Sequence, residues 1–175
     1  MKFNESKTTE NVYSEINIKA STSKIWKMIS EPGNLNLCHP FCKSNVVEKW
    51  NGVGAIDYIE YYNGLSLKRL FTGWTPEEGY ELIIGKGNQG IAKVKWEIIS
   101  KNKQSSSLKI IITLLPEIIL YKYPKPIHNI LIVVYLKPKM KNYINAVVKG
   151  FKYHIETGIK VQKNQFGYNS MFSIK

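Results

Sequence analysis

The order of elements constrains this chain most. One strand, Asn11–Ala20, is followed by two short helical stretches, Ser23–Ser30 and Pro32–Leu37. A run of strands then extends from Lys43 to Leu115, and one amphipathic helix, Pro138–Val161, comes last. Val12, Ser14, Ile16 and Ile18 alternate with Tyr13, Glu15, Asn17 and Lys19, so the first strand is half buried. Ser21 or Thr22 can cap the helix carrying Ile25, Trp26 and Ile29. Turn signals then recur roughly every ten residues, at Asn51-Gly52, Asn63-Gly64, Pro76–Gly79, Gly87–Gly90 and Lys101–Ser106. That spacing predicts an antiparallel meander and leaves no room for crossover helices. In the last helix Met140, Ile144, Val147, Val148, Phe151, Ile155 and Ile159 form one apolar side, which can lie across a sheet. A curved antiparallel sheet of about seven strands on one helix encloses a space.

The chain has 175 residues, enough for one domain with a substantial core, and no linker or repeat divides it. Residues 1–10 are polar, lack a signal-peptide h-region and are expected to be flexible. No apolar run reaches the roughly 18–20 residues of a membrane span. Two cysteines, Cys38 and Cys42, make no disulfide framework, which favours a cytoplasmic location.

The net charge of +12 invites a nucleic-acid reading. However, Arg69 is the single arginine among 25 basic residues, and the lysines are scattered along the chain. Base readout leans on bidentate arginine, so no specific nucleic-acid partner is expected. Abundant Lys, Asn and Ile together match an A/T-rich coding sequence and a lysine-coated surface.

Two groups of residues resemble the opening and middle of a known superfamily. Ala20-Ser21-Thr22-Ser23-Lys24-Ile25-Trp26 with Ile29-Ser30-Glu31-Pro32 has a strand ending in a small residue and a helix bearing Trp. Trp50-Asn51-Gly52-Val53-Gly54 precedes the third strand, and Val94-Lys95-Trp96-Glu97 lies in the sixth. Together with the element order, over residues 11–163, the chain resembles the START-like superfamily (SRPBCC). That superfamily includes polyketide cyclases, lipid-transfer domains and the birch-pollen allergens. The resemblance implies an α+β helix-grip fold with a cavity for an apolar ligand, and it does not imply one chemistry. No residue set here matches a catalytic motif of the group. The segment 117–137 departs from a minimal member: it is apolar and broken by prolines, and it reads as a lid or a membrane-touching flap. The tail 164–175 is not periodic, though Phe166, Tyr168 and Phe172 can pack back.

The candidate ligand contacts are Tyr58, Glu60 and Tyr62 on one strand face, Arg69 and Phe71 on the next strand, and Trp74, Trp96, Phe151 and His154. If those strand faces point inward, Glu60 and Arg69 pair inside the cavity; if not, they form a cross-strand pair in solvent. Ile59, Tyr61, Leu70 and Trp74 populate the opposite face, so alternation leaves the orientation open. Tyr80 and Tyr143 are further aromatic candidates for the wall or the core. Cys38, His39 and Cys42, with His128 or His154, offer zinc-type donors. Only one Cys-x-x-x-Cys unit is present, so no metal and no cofactor is expected, and His39 reads as a polar contact near the cavity. Gly85–Gly90 lies between strands and is a turn, not a phosphate loop. The expected function is binding or transport of a hydrophobic small molecule. One alternative is a cyclase or dehydratase using Glu60, Arg69, His154 or a tyrosine as acid–base groups. Another is a lipid-delivery module touching membranes through 117–137.

Overall fold

A computed structural model describes Met1 and residues 9–175. The expected flexible N-terminus lies mostly outside the described residues. The strands are β1 (Glu10–Ile18), β2 (Cys42–Lys49), β3 (Ile56–Tyr61), β4 (Ser66–Thr75), β5 (Gly79–Lys86), β6 (Gln89–Asn102) and β7 (Ser105–Leu114). They form one antiparallel sheet in the order β1-β7-β6-β5-β4-β3-β2. The meander is thus continuous from β2 to β7, and β1 joins beside β7. Two short helices follow β1, namely α1 (Thr22–Ile29) and α2 (Leu35–Cys38). Ser21 caps α1 by accepting from the Lys24 N–H.

The final helix, α5, spans Lys137–Thr157. It stops short of the expected Val161 because Gly158 turns left-handed at φ 74°, and its N–H donates to the His154 carbonyl at 2.7 Å. Ile159, counted in the apolar stripe from sequence, therefore lies beyond the helix and is exposed.

The segment 117–137 is more helical than its prolines suggest. It contains α3 (Pro116–Ile119), a 3₁₀ turn at Lys125–Ile127, α4 (His128–Leu131) and a π-turn at Ile132–Leu136 that runs directly into α5. Pro138 is the physical reason for the π-turn. Its ring clashes with a carbonyl of the preceding turn and supplies no N–H, and a wider turn just before it relieves both.

The helix α5 lies along β1. Ser14 Oγ donates to Asn145 Oδ1 at 2.7 Å, Lys152 Nζ to the Asn17 carbonyl at 2.6 Å, and the Lys19 N–H to Glu156 Oε1 at 2.8 Å. At the other side of α5, Gly150 lets α2 approach: a Cβ there would sit 2.1 Å from the Cys38 carbonyl oxygen. Inward residues of β3 to β7 belong to one hydrophobic cluster with the apolar side of α5. The tail returns as foreseen for Phe172, which is buried, and Asn169 Nδ2 secures it to the Lys139 carbonyl at 2.7 Å. Phe166 is partly buried against Tyr153, whereas Tyr168 is exposed.

Candidate functional site

Between the sheet and α5 lies a cavity of about 190 Å³. Its walls are apolar: Ile59 and Leu67, then Leu82, Val94, Ile110 and Leu114 across the sheet, faced by Met140, Ile144 and Val147 of α5. Leu35 of α2, Ile119 of α3, Leu136 of the π-turn, and Met171 and Phe172 of the tail close its ends. Among the described residues, polar side-chain groups in the lining come from His39, Tyr61, Arg69 and Tyr143, with the indole N–H of Trp96.

The strand register explains which side chains reach that space. The Asn63-Gly64 signal suggests a two-residue hairpin, which would set Tyr58, Glu60 and Tyr62 on the face of Leu67, Arg69 and Phe71. The loop instead has three residues, Tyr62-Asn63-Gly64, with Gly64 left-handed at φ 84° and the Tyr61 N–H donating to the Leu65 carbonyl at 2.8 Å. One extra residue moves every β3 side chain to the opposite face. Asp57 is therefore opposite Arg69, and Asp57, Ile59 and Tyr61 point inward.

Arg69 and Asp57 form a buried bidentate pair, 4% and 0% exposed. Arg69 Nε donates to Asp57 Oδ1 at 2.6 Å, and Nη2 donates to Oδ2. Asn45 Nδ2 also donates to Asp57 Oδ2, at 3.0 Å. The expected Glu60–Arg69 pairing is thus corrected. Glu60 is on the outer face and pairs with Lys43 at 2.7 Å. Tyr58 is also outside, its hydroxyl donating to Glu48 at 2.6 Å, and Tyr62 sits under Lys163.

Of the other candidates, Trp96 lines the cavity. Phe71, Trp74 and Phe151 belong to an aromatic pile that fills one end of the grip. Trp26 and Trp50 stack edge-on against Trp74, Phe71 and Tyr80 follow, and Trp96 meets Phe151 at 4.9 Å. Tyr80 is buried in that pile, with its hydroxyl beside the Arg69 guanidinium. His154 lies at the far end of α5 and bonds the Ile159 carbonyl at 2.9 Å.

A second polar cluster was only partly foreseen. His39 Nδ1 accepts the Phe41 N–H at 3.2 Å, and Nε2 lies 3.1 Å from the Tyr143 hydroxyl. The Tyr143 and Tyr61 hydroxyls are 3.1 Å apart. Phe41 stacks on Tyr143, with Phe172 at 4.2 Å on the same ring. Burial, and then the nearby Arg69 charge, lower the His39 pKa to about 3. Burial raises Tyr143 to about 12 and Tyr61 well above its ordinary value. Both His39 nitrogens are engaged within the protein, and the Cys38 and Cys42 thiols are buried, free and pushed up by burial. His128 and His154 bond backbone carbonyls elsewhere. Among the described residues no cluster could hold a metal ion. Asp57, Tyr61 and Met171 were not candidates from sequence; only the three-residue loop distinguishes Asp57 and Tyr61 from their neighbours.

A curved sheet gripping a terminal helix around an apolar hollow is the helix-grip fold of the START-like superfamily, and this chain has that fold. Norcoclaurine synthase from Thalictrum flavum, in a point mutant bound to a transition-state analogue, superposes with a TM-score of 0.60 at 16% identity, over 87% of this chain and 97% of that one. The Aha1 dimer from Colwellia psychrerythraea gives 0.61 at 15% identity, over 85% and 98%. Ara h 8.0201 gives 0.56 at 15% identity, over 85% and 98%. At such identities the likeness is one of fold. No protein-family model matches the chain, and no curated protein matches it in sequence.

Two outcomes follow from the polar pole. Asp57→Ala leaves Arg69 buried without its counter-charge and should cost about 3–5 kcal/mol in urea unfolding, whereas Asp57→Leu with Arg69→Met should recover most of it. His39 is held neutral, so its folded-state pKa lies below the unfolded 6.5. Its contribution to stability is complete above pH 6.5 and is lost as pH falls toward about 3. Thermal melts between pH 7 and pH 5 should therefore fall in the wild type and flatten in His39→Gln.

Proposed function

We propose that the chain binds a hydrophobic small molecule between the sheet and α5, as a carrier or sensor. The observation carrying this is the cavity itself, about 190 Å³ with walls that are apolar except at one pole. An engineered apolar cavity of about 150 Å³ accepts benzene, so the space suits a substituted ring or a short chain rather than a whole two-chain lipid. Some proteins of this fold carry ligands: the norcoclaurine synthase named above was solved with dopamine and hydroxybenzaldehyde as well. Segment 117–137 would gate access, because Ile119 and Leu136 belong to the wall while Tyr121, Ile130, Val133, Val134 and Tyr135 are exposed. The free buried thiols are consistent with a reducing cytoplasm.

The acid–base reading has less support. Glu60 and His154 do not converge with Arg69, and His39 and the tyrosines titrate far from neutrality. Those groups suit hydrogen bonding better than proton transfer at pH 7.

One observation favours a membrane-surface role beside ligand binding. Tyr121, Ile130, Val133, Val134 and Tyr135 are exposed together on the segment that borders the cavity, Tyr121 and Val134 at 71%. Residues 118–155 contain seven Lys and no Asp or Glu. An apolar patch flanked by lysines suits an anionic lipid surface; of these lysines, Lys137 and Lys152 are paired with Glu10 and Glu156. Among the described residues no helix is long and apolar enough to cross a membrane.

Titration of the environment-sensitive fluorophore anilinonaphthalene sulfonate, displaced by small aromatics, should show saturable binding. Val147→Phe, which fills the hollow, should abolish it with little loss in melting temperature; equal binding by the variant would defeat the carrier reading. Vesicles of phosphatidylcholine with phosphatidylserine should co-float the protein at low salt, and Val133→Asp with Val134→Asp should release it. No flotation of the wild type would dismiss the membrane role.

A further inference from the structure

The hydrogens at the polar pole can be counted. The Phe41 N–H donates to His39 Nδ1, so the proton of the neutral ring sits on Nε2. Nε2–H then donates to the Tyr143 oxygen. A single bond joins the two tyrosine hydroxyls, in one sense or the other. Three donor hydrogens thus serve two bonds. Whichever tyrosine donates to its neighbour, one O–H is left with no protein acceptor among the described residues. Both rings line the cavity, so that hydrogen is available to whatever fills it.

Arg69 adds to the same character. Nε and Nη2 are directed at Asp57, the guanidinium also meets the Tyr80 hydroxyl, and Arg69 is part of the cavity lining. The Asp57 oxygens are taken by Arg69 and Asn45. The carboxylate is thus engaged, and the acceptor positions left open at the pole are lone pairs of the tyrosine oxygens, beside the spare O–H. The pole also presents no net charge, because Asp57 cancels Arg69 and His39 is neutral. A carboxylate brought into this apolar space would find donors but no uncompensated cation, and a desolvated charge without a counter-charge is costly. A neutral carbonyl accepts the same hydrogen bond without that cost.

We infer that the cavity selects a neutral, mainly apolar molecule bearing a carbonyl oxygen, which accepts the spare tyrosine O–H at the Tyr61–Tyr143–His39 pole. This rests on the reading of the cavity as a ligand site. It narrows the ligand class to small aromatic or short-chain ketones, aldehydes and similar carbonyl compounds, in preference to hydrocarbons, protonated amines and ionised acids.

Three probes of nearly equal shape test it: acetophenone, its isostere α-methylstyrene, and benzoate. Calorimetry on the wild-type protein should give acetophenone roughly five- to tenfold tighter binding than α-methylstyrene, the range one net hydrogen bond supplies. Benzoate should bind most weakly. The infrared carbonyl stretch of bound acetophenone should lie below its value in hydrocarbon solvent, and it should move in both Tyr61→Phe and Tyr143→Phe. Equal binding of acetophenone and α-methylstyrene, with an unshifted stretch, would overturn the carbonyl assignment while leaving the cavity a ligand site. Tightest binding by benzoate would overturn the neutrality argument. Binding of none of the three would instead count against the cavity reading on which this rests.

Discussion

The alignment of α5 along β1 decides the rest of the architecture. Seven strands spaced by about 4.8 Å make a sheet roughly 29 Å across, whereas a helix with its side chains is about 10–12 Å wide. One helix cannot cover such a sheet. Ser14, Asn17 and Lys19 tie α5 to the β1 edge, so the inward residues of β3 to β6 must be covered by something else. Curvature, α2, the Met171–Phe172 tail and the segment before α5 do so without filling the middle. The hollow is a consequence of where the helix is anchored. Gly150 fits this account, since closure by α2 needs its backbone against that of α5.

The pole inside the hollow carries a cost that an apolar core would avoid. A buried ion pair seldom stabilises more than well-packed hydrophobic residues of equal volume. Here the carboxylate is fully engaged, by two N–H groups of Arg69 and by Asn45. The neighbouring histidine and tyrosines are held by stacked rings from Phe41 and Phe172, which belong to opposite ends of the chain. Rings packed that tightly hold their hydroxyls in fixed positions. Fixed, uncharged donors in a dry wall are suited to discrimination by hydrogen bonding, because a ligand lacking the acceptor leaves them unmet.

Much of this was readable from the residues, and the failures have a common source. The strand alternation at Val12–Ile18, the turn spacing and the heptad-like stripe from Met140 to Ile155 are local signals, and they produced the right elements in the right order. The faces of β3 are not local. Asn63-Gly64 marks a turn, but whether two or three residues are looped out depends on how Tyr61 and Leu65 pair, and that single residue exchanges Glu60 for Asp57 as the partner of Arg69. The lone arginine was a sound pointer because a lysine cannot make a bidentate buried pair. The aromatics misled for another reason. Trp74, Phe71 and Phe151 have the composition of a binding wall, yet they pack in the aromatic pile at the end under α1, whereas Trp96 and Tyr143 border the space.

The prolines of segment 117–137 point to a further physical link. Read singly they suggest breaks, yet Pro116 sits at a helix start and Pro126 in a 3₁₀ turn, where a missing N–H costs little. Pro138 alone interrupts a continuing helix, and the chain absorbs it as a π-turn at Ile132–Leu136. That turn itself carries exposed Val133, Val134 and Tyr135 beside Leu136, which faces the cavity as Met140 does one turn on. Outer patch and inner wall are therefore consecutive turns of one helix. Val134 thus lies within the π-turn itself, where the hydrogen-bond pattern departs from that of α5, less than two turns before Met140 of the wall.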